Sequence, residues 1–268
     1  PLLALLPGVA FPDGDARRLR FDFAESDHGF VAGFADYPGD ANPDLYEFSA
    51  SRKARPRNLN GSPALFISGV NRSDDLFLFW KKRITGLPPD TQVRLTMELE
   101  FASKYAEGLI GVGGAPGEGV TVKVGAVASE PKAVLDTDEG WWRMNVDKGN
   151  QKNGGRDMSV VGDVAKPADG NEDYVLLRRH NHGEALDART ADDGSLWLIF
   201  GTDSGFEGET ALYYSRLSVW LDRADAPHVW LERGDPPATL RLIWNQGKLR
   251  TTTALDSDWA DADVSARP

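Results

Sequence analysis

The sequence predicts an all-β protein, an antiparallel β-sandwich with a β-hairpin extension at its C-terminus. The main observation is residues 91–101, in which Val93 and every second residue after it are apolar, while the residues between them are polar or charged. Residues 211–221 alternate in much the same way. A period of two is that of a strand with one buried and one solvated face, and a solvated face is typical of antiparallel sheets.

Loops rich in Gly, Pro, Asp and Asn separate the predicted strands, and no stretch has the apolar stripe of an amphipathic helix. Residues 76–80 are apolar at both parities, which predicts a central strand covered on both faces. Residues 27–44 are predicted to form a long loop because of their glycines and prolines. The remaining strands are predicted, in chain order, at residues 18–24, 64–68, 120–126, 141–147, 173–179 and 196–200.

Three parts of the chain are predicted: an N-terminal segment at residues 1–17, the sandwich at residues 18–222, and an accessory hairpin with a loose tail at residues 223–268. The first segment contains a leucine-rich stretch at residues 2–6 that resembles the tail of a secretory signal. The protein is therefore expected to be secreted or periplasmic, with packing of this segment on the sandwich as the alternative.

The hairpin is predicted from two short apolar segments near the C-terminus. Residues 239–244 and 248–253 flank Asn245, Gln246 and Gly247, which is the pattern of a hairpin with a Gly-containing loop. About 45 residues bury too little surface for an independent core. The segment is therefore expected to be an extension of the sandwich.

Composition narrows the function classes. The 268 residues carry a formal charge of −11 and 41% hydrophobic residues, and they include no cysteine. The negative charge disfavours binding to nucleic acid, and the missing cysteines exclude disulfides and thiolate metal sites. No apolar run reaches the ~18 residues of a transmembrane helix. A soluble protein with a neutral or cationic ligand is expected.

Candidate catalytic residues are few. Glu98 and Glu100 share the polar side of one predicted strand, which places their carboxyl groups about 6–7 Å apart, a separation that glycoside hydrolysis can use. His180 and Tyr214 complete the set available to a hydrolase or lyase. His180 and His182, two residues apart, could also ligate zinc together, although no third ligand is evident. An ordinary solvated strand face is the alternative interpretation of the two glutamates.

Acidic loops indicate a metal site. Asp147 lies in one polar loop, and Asp203 and Glu207 lie in another. Hard oxygen ligands from loops suit Ca²⁺, so a structural calcium ion held by these three side chains is expected. Ordinary turn chemistry for Asp and Glu is the alternative, since neither loop has the spacing of an EF-hand.

Aromatic side chains indicate a sugar platform. Trp141, Trp197, Tyr214 and Trp220 each lie at the parity opposite an apolar face, so they are expected to be exposed. Exposed aromatic rings can stack on the C–H faces of sugars. Coverage of this second sheet face by long loops is the alternative.

Four stretches resemble bacterial exported β-sandwich proteins of the jelly-roll, galactose-binding-like type. They are GFVAGFADYP (residues 29–38), SGVNRSDDLFLFW (68–80), GGAPGEGVTVKVGA (113–126) and DSGFEGETALYYSRLSV (203–219). The last resembles the closing hairpin of carbohydrate-binding sandwiches. The resemblance implies a jelly-roll-like sandwich, a secreted or periplasmic location and affinity for glycans, and it supplies no catalytic residues.

The leading functional hypothesis is an exported, non-catalytic protein that binds carbohydrate or another cell-envelope ligand. The alternatives are a polysaccharide hydrolase or lyase on the same scaffold and a structural or assembly protein of the cell envelope. A rigid sandwich presents its loops for recognition. The expected ligand-binding residues are Tyr37, Asn71, Arg72, Asp74, Asp75, Trp141, Lys148 and Trp220.

Overall fold

A computed structural model describes residues 17–224 and four short strands in the C-terminal 44 residues. The strands of the first part are β1 (Arg17–Asp22), β2 (Val31–Ala35), β3 (Tyr37–Pro38), β4 (Ser49–Ala54), β5 (Pro63–Val70), β6 (Leu76–Ile84), β7 (Gln92–Ser103), β8 (Val120–Val127), β9 (Ala133–Asp136), β10 (Trp141–Met144), β11 (Met158–Asp163), β12 (Val175–His180), β13 (Leu186–Arg189), β14 (Leu196–Ser204) and β15 (Glu209–Arg223). Two short 3-10 helices, Pro43–Tyr46 and Arg57–Leu59, lie before and after β4.

Two antiparallel sheets form the sandwich. The first, sheet A, has the order β12-β7-β15-β5-β4, with β1 paired to the second half of β15 and β13 paired to the first half of β7. The second, sheet B, has the order β11-β8-β14-β6-β2. The chain passes repeatedly from one sheet to the other, as from β5 to β6, from β7 to β8 and from β14 to β15. This order is that of a jelly roll, so the predicted fold class is confirmed.

The main core lies between the two sheets. The apolar residues of β7 that the alternating pattern marked, from Val93 to Phe101, are all fully buried there. Leu65 and Ile67 of β5 and Phe200 of β14 meet them from neighbouring strands. The period-two pattern therefore identified the buried face of the central strand correctly.

The outer face of sheet B is also covered. Leu76, Leu78 and Trp80 of β6 enter the main core, whereas Phe77 and Phe79 enter a second, smaller core on the other side of the sheet. The prediction of a strand buried on both faces is confirmed. Above this second core lies a small sheet of order β3-β10-β9, here called the cover sheet, whose Ala133 and Met144 pack against it.

A bulge in β15 changes which side chains face the core. The register of β15 against β7 shifts between Tyr214 and Arg216, and such a bulge reverses the alternation beyond it. Tyr214 is consequently fully buried in the main core beside Phe101 and Phe200. The expectation that Tyr214 is exposed, and available for catalysis or sugar stacking, is wrong.

The predicted long loop at residues 27–44 contains two strands. β2 pairs with β6 and β3 pairs with β10. The prediction failed because the glycines here sit within strands as well as turns: Gly33 lies in β2, where a Cβ would come within 2.2 Å of the Phe79 ring. Glycine at this position leaves room for the Phe79 ring, which lies over it.

The C-terminal segment forms a compact unit of its own, residues 225–268. Its described strands are β16 (Val229–Arg233), β17 (Leu240–Trp244), β18 (Arg250–Thr251) and β19 (Ala260–Asp261). β17 pairs with β16, and β18 pairs with β19. A hairpin is present, but within the described residues Leu240–Trp244 pair with the strand before them and Arg250–Thr251 pair with Ala260–Asp261, so the predicted partners do not pair with each other. The apolar run at Val229–Leu231 is the signal that was overlooked.

Some predicted features fall on residues outside the described part of the chain. These are the leucine-rich stretch at residues 2–6 and the turn at Asn245, Gln246 and Gly247. Among the described residues, no helix has the length and apolar character needed to cross a bilayer.

Candidate functional site

An open cleft of about 430 Å³ lies where the cover sheet meets the edge of sheet B. Asp36, between β2 and β3, and Asp75, directly before β6, enter it from the sandwich side. The β10 strand and the loop after it close the other side with a mixture of charged, amide and apolar side chains. The residues contributed by that side are Glu139, Arg143, Met144, Val146, Asp147, Lys148, Gly149 and Asn150.

Lys148 lies at the centre of the charged groups. Its Nζ is 2.7 Å from Asp203 Oδ2 and 2.8 Å from Asp36 Oδ2. All three side chains are almost completely buried. Burial acts to lower the pKa of Lys148, but the charges of Asp203 and Asp36 outweigh it, so that the pKa is raised. The ammonium group is therefore held in its charged form.

Lys123 lies one layer deeper. It is fully buried in β8, and its Nζ is 2.7 Å from Asp203 Oδ2 and 2.8 Å from the backbone carbonyls of Lys148 and Asn153. Burial lowers the pKa of Lys123, and the charge of Asp203 opposes this effect. Lys123 thus ties the loop that carries Lys148 to sheet B through an ion pair and two hydrogen bonds.

Arg143 connects this network to the open side of the cleft. Its NH1 donates to Asp75 Oδ2 at 2.9 Å, its Nε donates to Glu139 Oε2 at 3.1 Å, and its guanidinium lies 4.5 Å from the ring centroid of Trp141. A cation over a tryptophan ring is favourable. These contacts fix the arginine in the wall of the cleft and the tryptophan beside the arginine.

Cations and carboxylates therefore alternate from the interior to the rim of the cleft. We call this set the ion network; its members are Lys123, Asp203, Lys148, Asp36, Arg143 and Asp75. A hydrogen-bonded network of this kind rigidifies its members in a medium of low dielectric constant. Among the described residues, no hydrogen-bond donor reaches Asp75 Oδ1.

The environment of Asp75 predicts a pH effect on stability. Burial, followed by the charge of Asp36, raises the pKa of Asp75 to about 6. Because this pKa is above that of the unfolded chain, the folded state binds the proton more tightly. The stabilising contribution of Asp75 is fully present below pH ~4 and is lost as the pH rises through about 6.

We expect Asp75→Asn to remove this dependence. In urea unfolding, the variant should gain stability relative to the wild type between pH 4.5 and pH 7.5, by roughly 1 kcal/mol once the partial exposure of Asp75 is taken into account. Asp74→Asn, which changes the exposed neighbouring carboxylate, is the control. A stability difference between Asp75→Asn and wild type that is the same at both pH values would contradict the assignment.

Three carboxylates of the ion network have oxygens within 4.8 Å of one another, those of Asp36, Asp75 and Asp203. Hard oxygen ligands at this separation suit Ca²⁺. However, the Lys148 ammonium already lies between Asp36 and Asp203, and Arg143 binds Asp75. A calcium ion would have to displace a buried lysine, so the donor set is better matched to its own cations than to a metal.

The expected metal ligands Asp147, Asp203 and Glu207 do not come together in one cluster. Asp147 accepts hydrogen bonds from the backbone N–H groups of Gly149 and Arg156, which is turn chemistry within its own loop. Those bonds lower the pKa of Asp147. Asp203 is buried in the ion network, while the stem of Glu207 lies by Gly113 on a different loop.

The expected ligand-binding residues divide into two groups. Asp75 and Lys148 line the cleft, whereas Trp141 lies behind the lining and contacts Arg143, which is part of it. Asp74 lies next to them, because Gln151 of the neighbouring loop donates to its backbone carbonyl at 2.8 Å. The structure thus brings loop residues from distant parts of the sequence to one end of the sandwich.

The other expected residues lie elsewhere or have structural roles. Asn71 is buried and donates to the Ser204 carbonyl, and Arg72 donates to the Leu45 carbonyl. The ring of Tyr37 packs among Tyr46 and Phe48. Trp220 lies on the outer face of sheet A, beside His182.

The proposed glutamate pair is not a solvated strand face. Glu100 is only 9% exposed, and its Oε2 accepts hydrogen bonds from Arg178 at 2.9 Å and Arg216 at 2.6 Å. Glu98 lies on the same face, opposite His180 of β12. The His180 and His182 rings stack with centroids 3.9 Å apart. With Glu100 held by two arginines and Tyr214 in the core, the predicted catalytic set is not assembled.

Three members of the ion network were not predicted from the sequence. Asp36 lies in the segment that was expected to be a loop, and Arg143 lies in a predicted strand. Lys123 alternates with the apolar residues of its strand, so it was expected to face solvent, but the outer face of that strand is covered. A signal for Lys123 was present in the two-sided apolar pattern of residues 76–80. That pattern means that the outer face of the same sheet is buried, so a lysine there needs an acidic partner.

Comparisons with known proteins give weak similarities only. No protein-family model and no curated protein matches the sequence. Among solved structures, the chain is similar to TmCBM61 in complex with β-1,4-galactotriose, at 8% identity over 75% of this chain and 94% of that one, with a TM-score of 0.33. It is also similar to TmCBM27, a carbohydrate-binding module studied for mannan recognition, at 12% identity over 78% and 99%, with a TM-score of 0.34.

A third similar structure is the K1 cleaved adhesin domain of Lys-gingipain from Porphyromonas gingivalis W83, at 9% identity over 77% of this chain and 95% of that one, with a TM-score of 0.29. The first two of these neighbours are carbohydrate-binding modules. At TM-scores below 0.5, no site can be transferred from them, and the function must be inferred from the residues of this chain.

Proposed function

We propose that the protein binds a neutral or cationic carbohydrate in the cleft above the ion network, without turning it over. The observation that carries the proposal is the ion network itself, which holds Asp75, Asp36, Arg143 and Lys148 in fixed positions at an open cleft. Preorganised polar groups on rigid elements are what a specific binding site requires.

The chemistry of the lining matches a polyhydroxylated ligand. Sugar hydroxyl groups both donate and accept hydrogen bonds. Asp75 and Glu139 supply acceptors, Arg143 and Asn150 supply donors, and Met144 offers an apolar surface. Carboxylates outnumber cations in the lining, so an anionic ligand is disfavoured.

Binding without catalysis is supported by the state of the carboxylates. Asp36 is held by Lys148, and Asp75 is held by Arg143, so neither is free to act as a nucleophile or base without breaking an ion pair. Export remains a separate part of the proposal, and it rests on the leucine-rich stretch at residues 2–6 and the sandwich fold. Fractionation of cells that express the full-length gene tests it.

The proposal predicts binding of a neutral glycan that depends on the cleft. On an array of neutral and amino-sugar oligosaccharides, we expect binding by the wild type and a loss of about tenfold or more in affinity for Trp141→Ala and Asp75→Asn, because the first removes the ring on which Arg143 packs and the second removes the negative charge of a lining carboxylate. Trp197→Ala, a half-buried tryptophan outside the cleft, is the matched control. A metal chelator should have no effect, since Lys148 supplies the positive charge.

Two results would reject the proposal. The first is failure of the wild type to bind any neutral or amino sugar on the array. The second is an equal loss for Trp197→Ala and Trp141→Ala. Release of reducing ends from a bound glycan would instead identify a hydrolase.

A further inference from the structure

The outer face of sheet A carries a row of arginines that the cleft does not use. Arg178 of β12 and Arg216 of β15 lie on either side of Glu100 of β7, at directly opposed positions of the ladder. Arg55, just after β4, continues the row, because its NH1 donates to the Ser215 hydroxyl at 2.8 Å. We call Arg55, Arg178 and Arg216 the arginine row.

Within the arginine row, one carboxylate serves two guanidinium groups. Glu100 is the carboxylate between the guanidiniums, and a single oxygen of it serves both Arg178 and Arg216. The Arg178 side chain remains 60% exposed. Arg55 donates to two neutral groups, the Ser215 hydroxyl and the Asn60 side chain at 3.1 Å, so its charge is not neutralised by these partners. The exposed Lys53 and Arg57 add positive charge nearby, whereas Glu98 and Asp22 on the same face reduce it, and the exposed Glu172 and Asp173 before β12 reduce it further.

Such a surface is unusual on a chain whose formal charge is −11. A cluster of guanidiniums focuses positive potential that attracts anions against the field of the whole protein. The planar fork of arginine binds carboxylate or sulfate groups through paired hydrogen bonds. The row therefore fits groups of these two kinds.

Aromatic rings lie beside the arginine row. Tyr213 and Phe66 are neighbours across the sheet, with ring centroids 4.8 Å apart, and Tyr174 packs edge-on against Tyr213 at 5.3 Å. Both tyrosines are half-buried. Rings of this kind next to fixed cations suit a ligand that alternates apolar ring faces with anionic groups.

We propose that the arginine row binds an anionic polysaccharide, whose carboxylate or sulfate groups pair with the exposed Arg178 and are attracted by the charge of Arg55 while its sugar rings pass over Tyr213. This site is separate from the cleft, since it lies on sheet A while the cleft lies on the outer side of sheet B. A single-stranded nucleic acid is disfavoured because Lys53 Nζ lies 3.2 Å from the Phe66 ring centroid and occupies the face on which a base would stack.

Affinity electrophoresis in gels that contain polygalacturonate tests the site. Methyl-esterified polygalacturonate has the same backbone without the charges, and it is the matched ligand. We expect retardation by the acid form only, which should weaken with added salt. Arg178→Gln should reduce the affinity by about tenfold, since it removes charge-assisted hydrogen bonds, and Arg55→Gln should reduce it by a smaller factor, since it removes a nearby positive charge. Arg83→Gln, which changes an arginine on the outer face of sheet B, is the control and should leave retardation unchanged.

The outcomes separate this site from the cleft. Trp141→Ala should leave polygalacturonate binding intact, whether or not the cleft binds a neutral glycan. No retardation by polygalacturonate or by dextran sulfate would overturn the proposal, and so would equal losses for Arg83→Gln and Arg178→Gln. Retardation by single-stranded DNA as strong as that by polygalacturonate would also overturn it, because the surface would then bind any polyanion.

Discussion

Lys148→Met is expected to reduce the free energy of unfolding by about 3–5 kcal/mol, because it removes the cation between two buried carboxylates. Asp36 would keep only the more distant Arg143, whose NH1 is 3.5 Å away, and Asp203 would keep only Lys123. For a domain of this size the loss corresponds to a fall of roughly 10 °C in Tm. Differential scanning calorimetry measures it.

The control for this variant lies in the same loop. Lys152→Met changes an exposed lysine four residues further on, and we expect it to alter the unfolding free energy by less than about 0.5 kcal/mol. Similar losses for the two variants would mean that the Lys148 ammonium has no special role. The ion network would then be a surface feature rather than the element that joins the cover sheet to sheet B.

The second large effect is expected for Phe77→Ala, which should cost about 3–5 kcal/mol. Phe77 is fully buried in the second core, and its ring centroid lies 5.2 Å from Lys148 Nζ. The variant removes both the packing beneath the cover sheet and the ring that faces the ammonium. Phe77→Leu keeps much of the side-chain volume, so the difference in unfolding free energy between Phe77→Ala and Phe77→Leu measures the cost of the cavity.

Coupling between these residues checks that they act together. Because Phe77 and Lys148 are in contact, the double variant Phe77→Ala, Lys148→Met should lose less stability than the two single variants combined. Full additivity would contradict the view that the second core and the ion network stabilise the cover sheet as one unit. Urea unfolding at pH 7 measures all four proteins.

Much of the fold could be predicted from local alternation. The pattern at residues 91–101 identified both the existence of β7 and the face that it buries. The apolar run at residues 76–80 identified a strand that is buried on both faces. Prediction failed where a single extra residue in a strand reversed which side chains face the core. The bulge before Arg216 turned Tyr214 into the core, and no local signal in the YYSR sequence marks it.

The site was harder to predict than the fold. Asp75, Lys148 and Asp203 were marked as polar loop residues, but their partners are set by pairing across the sheets. Asp36 reaches the cleft only because β2 pairs with β6, and it adopts a left-handed backbone with φ of +62° at the turn into β3. These partners are far apart in the sequence, so no local pattern predicts that they meet.

The two proposed binding surfaces carry opposite charges. The cleft has an excess of carboxylates and suits a neutral or cationic sugar, whereas the arginine row suits an anionic one. The sandwich between them supplies the rigid support that each surface needs.

The most direct measurement for the cleft is a crystal structure of the protein with the neutral oligosaccharide that binds best on the array. A sugar ring in the cleft, with hydroxyl groups within hydrogen-bond distance of Asp75 and Asn150 and with Lys148 still between Asp36 and Asp203, is the predicted result. A sugar bound on the outer face of sheet A, with the cleft filled by solvent, would contradict it.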